Sequence, residues 1–148
     1  MPTVRYRKTA ELSEIDAAYV AGLIDGEGTV TLSRKHAGEN RQLSVSISNT
    51  ERDILEFVLQ RVGAGKITRK RVAKLEHVPS FTYAIWNRQA LDLLTQVAPH
   101  LRSYKRKRTQ CVLDHYVRLT PRNGKYTLSL LAERKEFERA VLALTSTA

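Results

Sequence analysis

Residues 20–33 read VAGLIDGEGTVTLS, and they join the end of a predicted helix to the start of a predicted strand. The segment Ser13–Asp16 has the form of a capping box, with Asp in the position usually held by Glu or Gln, and it predicts the start of this helix. The helix is expected to run to about Ile24, because the glycines of Asp25–Gly28 interrupt helical structure. Residues 29–35 then alternate apolar and polar side chains, which indicates a half-buried strand.

The rest of the chain shows the same two periodicities. Residues 37–40 are expected to turn the first strand into a second one, and the next helix is expected to be capped by Thr50 and stopped by Gly63. The remaining elements are predicted with these bounds: a strand at 41–48, a helix at about 50–62, strands at 66–75 and 81–86, and helices at 88–97, 103–119 and 127–144. Short hairpins make the sheet antiparallel, so helices can cover one face and leave the other polar. The predicted fold class is α+β.

The composition is that of a globular chain, since 42% of the 148 residues are hydrophobic and 27% are charged. It excludes disordered, collagen-like and transmembrane chains, and the length suits one domain, residues 1–148. Cys111 is the single cysteine, so it cannot form an intrachain disulfide, and one thiol with four scattered histidines gives no zinc spacing. Because the sequence starts without the apolar stretch of a signal peptide, we expect an intracellular protein, in a prokaryotic cytoplasm or an organelle interior, with no membrane partner.

Positive charge is concentrated in the middle of the chain. The protein carries 25 Lys and Arg against 15 Asp and Glu, a formal net charge of +10. Residues 66–125 hold 14 of these basic side chains and three acidic ones, so they carry the whole surplus. Two runs, Lys66–Lys74 and Arg102–Arg108, contain no acidic residue. Such runs can be merely solvated surface, but a surplus of this size favours a polyanion, most often a nucleic acid and less often an acidic membrane.

The polar sides of the predicted strands carry short or basic hydrogen-bonding groups and almost no carboxylates, whereas an ordinary solvated face would include Glu and Asp. A two-stranded ribbon fits the major groove of B-DNA, where such side chains suit base edges and phosphates. The expected partner is therefore double-stranded DNA. The strand Phe81–Trp86 cannot be oriented, because both alternating sets contain aromatics. The candidate DNA-contacting residues are Thr31, Ser33, Lys35, Arg41, Ser44, Ser46, Lys66, Thr68, Lys70, Arg122 and Lys125.

The segment Val20–Gly28 resembles the LAGLIDADG motif of homing endonucleases and matches six of its nine letters. It differs at Val20, Gly26 and Glu27, and it stands at a helix end before the first strand, as in that family. The resemblance covers roughly residues 13–120. It implies an αββαββα core whose four-stranded, antiparallel, saddle-like sheet binds DNA and is covered by helices on one face. A C-terminal helical extension would then occupy about residues 121–148. Because one motif is present, the resemblance implies a homodimer that cleaves a long, approximately palindromic DNA site with Mg²⁺.

Small side chains on the first helix are compatible with that dimer. Ala18, Ala21, Gly22 and Asp25 are spaced to lie on one helical face, where small residues let a second backbone approach. Either this helix packs only on its own sheet, or it pairs with its copy about a two-fold axis. Pairing would bring two Glu27 carboxylates together, and these repel unless a cation lies between them.

Mg²⁺ or another divalent cation fits such a sparse site, because it keeps several waters and accepts phosphate oxygens. The resemblance implies that Glu27 binds the metal, and the carbonyl of Gly26 is a second expected ligand. It also implies a catalytic role for Lys105, which would stabilise charge on the phosphate, and for Asn49, which would position water. Lys105 can instead be a phosphate-contacting or merely solvated lysine. Asn49 can instead be a helix cap, and Ser48 can take its place in the alignment.

Three functions are therefore considered. The first is a site-specific double-stranded DNA endonuclease, and the second is a binder of the same fold that does not cleave, either an RNA-splicing maturase or a transcription factor. An acid at Glu27 together with Lys105 favours cleavage, because a pure binder needs no carboxylate facing its own copy. The third is an oligomeric scaffold that meets no nucleic acid, and this alternative leaves the basic middle of the chain unexplained.

Overall fold

The structure is a computed structural model that describes residues 7–70 and 78–146. The predicted order of helices and strands is confirmed, and so is the α+β class. The elements are α1 (Glu14–Glu27), β1 (Gly28–Ser33), β2 (Gln42–Asn49), α2 (Arg52–Val62), β3 (Lys66–Arg69), β4 (Phe81–Trp86), α3 (Asn87–Val97), a 3₁₀ turn (Ala98–His100), α4 (Lys105–His115) and α5 (Leu128–Ala143).

The sheet has the strand order β1-β2-β4-β3, and all neighbouring strands are antiparallel. Its apolar side chains share one face, on which Val30 pairs with Val45 and Val45 with Ile85. These residues are almost completely buried, because α1, α2 and α3 pack on the sheet. We call the opposite side the open face. Its side chains are Thr29, Thr31, Ser33, Gln42, Ser44, Ser46, Ser48, Lys66, Thr68, Thr82, Ala84 and Trp86.

The first helix is longer than its sequence predicts. It was expected to end at Ile24, yet α1 continues to Glu27, so Gly26 lies inside the helix and does not break it. The chain changes to extended structure only at Gly28, whose N–H donates to the carbonyl of Ile24. A Cβ added there would lie 2.6 Å from the Ile24 Cα and 3.0 Å from the Ser46 carbonyl oxygen. Glycine is therefore required by close packing between the helix end and the sheet.

The second helix begins later than expected. Thr50 does not cap it, because α2 starts at Arg52 after Glu51, and no side chain caps this helix end. The side chain of Asn49 instead accepts a hydrogen bond from the N–H of Glu51 at 2.8 Å. The helix ends at Gly63 as predicted, with φ of +73° at that glycine. A positive φ is easy for glycine, and it reverses the chain into β3.

Three other boundaries differ from the predicted ones. Strand β1 ends at Ser33, so Lys35 lies in the hairpin loop. Strand β3 ends at Arg69, and residues 71–75 of the predicted strand lie outside the described residues. The fourth helix is shorter than residues 103–119, because the chain around Ser103 forms a turn before α4 begins.

The C-terminal helices α4 and α5 pack against the edge strand β1. Tyr116, Phe137 and Val141 belong to the same buried cluster as Val20 of α1. The guanidinium of Arg108 donates to the carbonyl of Val30 at 2.9 Å, which satisfies an outward-facing group of this edge. In the part of the chain that the structure describes, no helix combines the length and apolar character needed to cross a membrane.

Candidate functional site

Two of the predicted site residues meet where α1 ends. Glu27 is the last residue of α1, and Asn49 is the last residue of β2. The register pairs Gly28 with Ile47, so the end of β2 lies beside the start of β1. The Asn49 amide nitrogen donates to the Glu27 carboxylate, and its oxygen accepts from the N–H of Glu51. Asn49 thus fixes the orientation of an exposed carboxylate, and its second partner fixes the orientation of the amide itself.

The Asp25 carboxylate points away from Glu27, toward the turn that precedes α4. It accepts hydrogen bonds from the N–H groups of Arg102 and Ser103 at 2.9 and 3.1 Å, and from the Ser103 hydroxyl at 2.6 Å. Burial by itself would raise the pKa of Asp25, but these hydrogen bonds and the nearby charge of Lys105 outweigh it, so the pKa lies below its usual value. Asp25 is therefore held as a carboxylate that anchors the start of α4.

Lys105, at the start of α4, donates hydrogen bonds back to the end of α1. Its ammonium donates to the carbonyls of Ile24 and Asp25 at 2.8 and 2.9 Å, and its side chain is 8% exposed. No basic residue lies in the last turn of α1, so Lys105 supplies the cation that a helix C-terminus favours. Burial lowers the pKa of Lys105, and the charge of Asp25 raises it only in part. The predicted catalytic lysine therefore caps the helix that carries Glu27, with its ammonium directed at the helix carbonyls.

The exposed surface of α1 in the turns before Glu27 includes three small residues, although Ile15 and Tyr19 are also exposed on this helix. Ala18, Gly22 and Gly26 are exposed, and a Cβ built on either glycine meets nothing within 4 Å. Two of the predicted interface residues lie elsewhere. Ala21 is completely buried in the core of its own chain, because it faces the sheet, and the Asp25 carboxylate is engaged by the turn before α4. The surface available to a partner is thus narrower than the sequence predicts.

Residues 7–70 and 78–146 contain no group of three or more His, Cys, Asp or Glu side chains that could hold a metal ion. Near the end of α1, the Asp25 carboxylate is taken by Ser103, whereas the Glu27 carboxylate is exposed. One protomer therefore offers one oriented carboxylate at this position. Such a group can bind a hard divalent cation only together with further oxygen ligands.

The open face of the sheet brings the predicted DNA-contacting residues of the strands together. Thr31, Ser33, Ser44, Ser46, Lys66 and Thr68 lie on it, in rows set by the strand register. One row joins Thr29, Ser46, Ala84 and Lys66 across all four strands. None of the four strands contains Asp or Glu. The result is an acid-free surface made mainly of hydroxyl groups, with Lys66 at the β3 edge.

Sequence reasoning missed an aromatic residue on this surface. The strand β4 places Tyr83 and Ile85 in the core, so Trp86 lies on the open face. The Lys66 ammonium lies 5.6 Å from the Trp86 ring centroid, which is a cation–π contact. The Tyr83 hydroxyl donates to the Ala64 carbonyl at 2.6 Å, and burial raises its pKa above the usual range. Alternation alone could not orient this strand, because aromatics occupy both of its faces.

The remaining predicted contacts lie beside the sheet. Lys35 is exposed in the β1–β2 loop, and Lys70 is exposed just after β3. Arg41 is half-buried, and its guanidinium donates to the Leu32 carbonyl at 3.4 Å. Arg122 and Lys125 are exposed in the turn between α4 and α5. All five cations lie in loops or turns, and none of them is buried.

Comparison with known proteins adds a family and several similar folds. The family model described as a LAGLIDADG-like domain matches residues 14–95. The homing endonuclease I-CvuI, in complex with its target, superposes with a TM-score of 0.73 at 19% identity over 91% of this chain and 85% of that chain. The archaeal intron-encoded homing endonuclease I-Vdi141I, complexed with DNA, gives 0.68 at 15% identity over 91% and 87%. I-SmaMI bound to cleaved DNA gives 0.60 at 18% identity over 93% of this chain but 47% of that chain. No curated protein matches the sequence.

Proposed function

The chain belongs to the LAGLIDADG-like domain family, and from this we propose that it is a site-specific double-stranded DNA endonuclease that acts as a homodimer with a divalent cation. The observation that carries the proposal is the position of Glu27. This oriented carboxylate lies at the end of α1, beside an exposed stripe of small residues and next to the start of an acid-free sheet surface. I-CvuI and I-Vdi141I have this fold and were solved bound to DNA.

The open face is the proposed DNA-binding surface. Its hydroxyl groups can donate to or accept from base edges, and the cations at its margin can contact phosphates. Strands β1 and β2 have six and eight residues and span about 20–26 Å, so one sheet would cover roughly two-thirds of a DNA turn of ~34–36 Å. Two protomers would then contact about two turns of an approximately palindromic site. The whole chain would act as one domain, since α5 contributes to the same core as α1.

The exposed stripe of α1 is the proposed dimer contact. Ala18, Gly22 and Gly26 leave open space in which a second backbone can approach closely. Pairing about a two-fold axis would bring the Glu27 carboxylates of both protomers near one another. A chain such as I-SmaMI, of which this protein spans 47%, is long enough to hold two such units. We therefore expect that a lone protomer has an incomplete site.

The residues at the end of α1 fit a hard divalent cation such as Mg²⁺. One Glu27 from each protomer, with the Gly26 carbonyls, supplies oxygen ligands and leaves positions for water and for phosphate oxygens. When bound, such a cation lowers the pKa of a coordinated water and neutralises charge on the attacked phosphate and the leaving oxygen. The chain itself orients the reacting groups. Asn49 holds the Glu27 carboxylate in place and is well positioned to order a water beside it.

Lys105 has a different proposed part in the mechanism. Because its ammonium contacts the carbonyls of Ile24 and Asp25, it holds the last turn of α1 in position. Glu27 follows within the same turn, so its placement depends on that contact. The positive charge of Lys105 also lies near the site and favours an approaching phosphate.

Cleavage of a randomised double-stranded site library with Mg²⁺ tests the proposal, with Glu27→Gln as the control. We expect defined double-strand breaks from the wild type and none from the variant. The variant should still bind DNA, or bind it more tightly, because a carboxylate that faces phosphate is neutralised. Sequencing the products would give the site and its symmetry. Cleavage by Glu27→Gln at the wild-type rate would exclude the assigned carboxylate.

A second candidate function is a DNA- or RNA-binding protein of the same fold that does not cleave. The inward direction of Lys105 favours it, because its ammonium is satisfied by helix carbonyls. In the same library experiment, this candidate predicts enrichment of sequences by binding without any cut product. The oligomeric scaffold without nucleic acid predicts neither enrichment nor salt-sensitive binding.

A further inference from the structure

A basic groove runs along the outer edge of β1, between the β1–β2 loop and α5, and encloses about 240 Å³. Its lining side chains are Arg34 and Arg41 from the β1–β2 loop and Lys135, Glu138, Arg139 and Leu142 from α5. Four cations thus share the groove with one carboxylate, and that carboxylate already pairs with a buried arginine. Such an excess of positive charge in a concave site attracts an anion.

The walls of the basic groove are held by a buried network centred on Arg134, which is 2% exposed. Its Nε donates to Glu138 at 3.1 Å, and its other nitrogens donate to the carbonyls of Leu119 and Arg41. Glu138 also accepts from the N–H of Arg41 at 3.2 Å. The β1–β2 loop and α5 are therefore fixed at one spacing. Cations on fixed walls lose little freedom when they bind a ligand.

We infer that the basic groove binds the phosphodiester backbone of DNA that flanks the segment on the open face. The inference rests on the proposed function, because it requires a duplex on the sheet. Arg41 connects the two surfaces, since it precedes Gln42, the register partner of Ser33 on the open face. A backbone that continued past Ser33 and Gln42 would pass the β1–β2 loop, which forms one wall of the groove.

A small free anion is a poorer occupant than DNA. Lys135 and Arg139 are exposed on the surface of α5, so they suit a strand that passes over them. The exposed ion pair between Arg139 and Glu136, at 2.8 Å, is weak competition, because water screens both groups. The groove therefore adds ionic contacts from α5, which lies outside residues 14–95 of the family model, to those of Arg34 and Arg41.

The test compares two double variants that lose the same charge. Lys135→Gln with Arg139→Gln removes two cations from the basic groove and leaves Arg41 in place. Arg52→Gln with Arg61→Gln is the matched control, since both are exposed cations of α2 on the helical side of the sheet. Binding of full-length protein to a mixed-sequence duplex of about 40 base pairs, roughly four turns, is measured over a series of salt concentrations.

For the groove variant, we expect the slope of log affinity against log salt concentration to become less negative by about one to two. Each lost phosphate contact removes about 0.9 from the magnitude of this slope. The control should keep the wild-type slope. Equal slopes for both variants, with a wild type that binds, would overturn the groove and leave the proposed function standing. A wild type without salt-sensitive DNA binding would overturn both. Thermal unfolding of both variants checks that each is folded.

Discussion

The two densest basic runs of the sequence, Lys66–Lys74 and Arg102–Arg108, differ in how many of their described cations are exposed. In and just after β3, Lys66, Arg69 and Lys70 are all exposed. In α4, by contrast, Lys105 and Arg108 are 8% exposed, and both donate to backbone carbonyls. The described cations of the first run are available to a ligand, whereas two of the five cations in the second run, Lys105 and Arg108, are structural. A count of charges therefore overstates the surface available to DNA.

The spacing within each run explains the difference. Lys105 and Arg108 are three residues apart, followed by Val112 and Tyr116 at intervals of four, and all four are buried on one face of the helical segment. Arg106 and Lys107 lie on the other side and are exposed. The buried cations donate to backbone carbonyls at helix ends and at the sheet edge, where intrahelical and interstrand partners run out. Long side chains can serve this purpose because their charged ends reach past the apolar layer.

The largest expected effect is the loss of stability in Arg108→Ala. Arg108 donates to the carbonyls of Leu144, Val30 and Leu142 at 2.6, 2.9 and 3.4 Å. Removing it leaves these acceptors without their charged donor, so we expect a destabilisation of about 2–4 kcal/mol, measured by urea unfolding. Arg106→Ala is the matched control and should unfold like the wild type. Equal stability of the two variants would mean that Arg108 is a surface cation like those of β3.

The next largest effect on stability is expected for Lys105→Met. It keeps the length of the side chain but removes the ammonium from the carbonyls of Ile24 and Asp25. We expect a loss of about 1–3 kcal/mol in stability and slower DNA cleavage, because the turn that holds Glu27 is no longer fixed. DNA affinity should change little. Lys107→Met, an exposed neighbour, is the control. A large loss of affinity with unchanged stability would show that Lys105 contacts phosphate.

Much of the fold follows from local patterns, and the exceptions have physical causes. Alternation correctly placed Val30, Leu32 and Val45 in the core, because a half-buried strand has a strict period of two. Alternation could not place the end of α1. Gly28 is required there because Ile24 and the sheet pack closely against it, and a local sequence pattern does not reveal such tertiary contacts. For the same reason the sequence did not predict the buried pair of Arg134 and Glu138. Their partners lie up to 97 residues away along the chain.

The candidate site was predictable to a similar degree. Glu27 and Asn49 were nominated from the motif and the strand end, and the structure brings them into contact. The direction of Lys105 was not predictable, since a basic run does not reveal which of its members turns inward. Trp86 was missed because the aromatic residues of β4 lie on both of its faces.

The acid stability of the protein should reveal the contact between α1 and α4. The pKa of Asp25 is below its usual value of 3.8 in the folded state, so its contribution to stability is fully present above that pH and is lost as the pH falls through the folded pKa. Urea unfolding between about pH 6 and pH 2 should therefore show a steeper acid loss in the wild type than in Asp25→Asn. Parallel curves for the two proteins would contradict the contact with Ser103.

The smallest effect on stability is expected for Lys66→Gln. This variant tests whether the exposed cations near β3 differ from the buried cations of α4 in binding DNA. Lys66 is exposed and its ammonium lies over the Trp86 ring on the open face, so unfolding should be nearly unchanged. DNA affinity should fall, and its salt dependence should become shallower by about one phosphate contact. The opposite pattern is expected for Arg108→Ala, which loses stability and keeps the salt slope. If both variants lost stability and neither changed the slope, the cations of β3 would be structural too, and the open face would need another source of attraction for DNA.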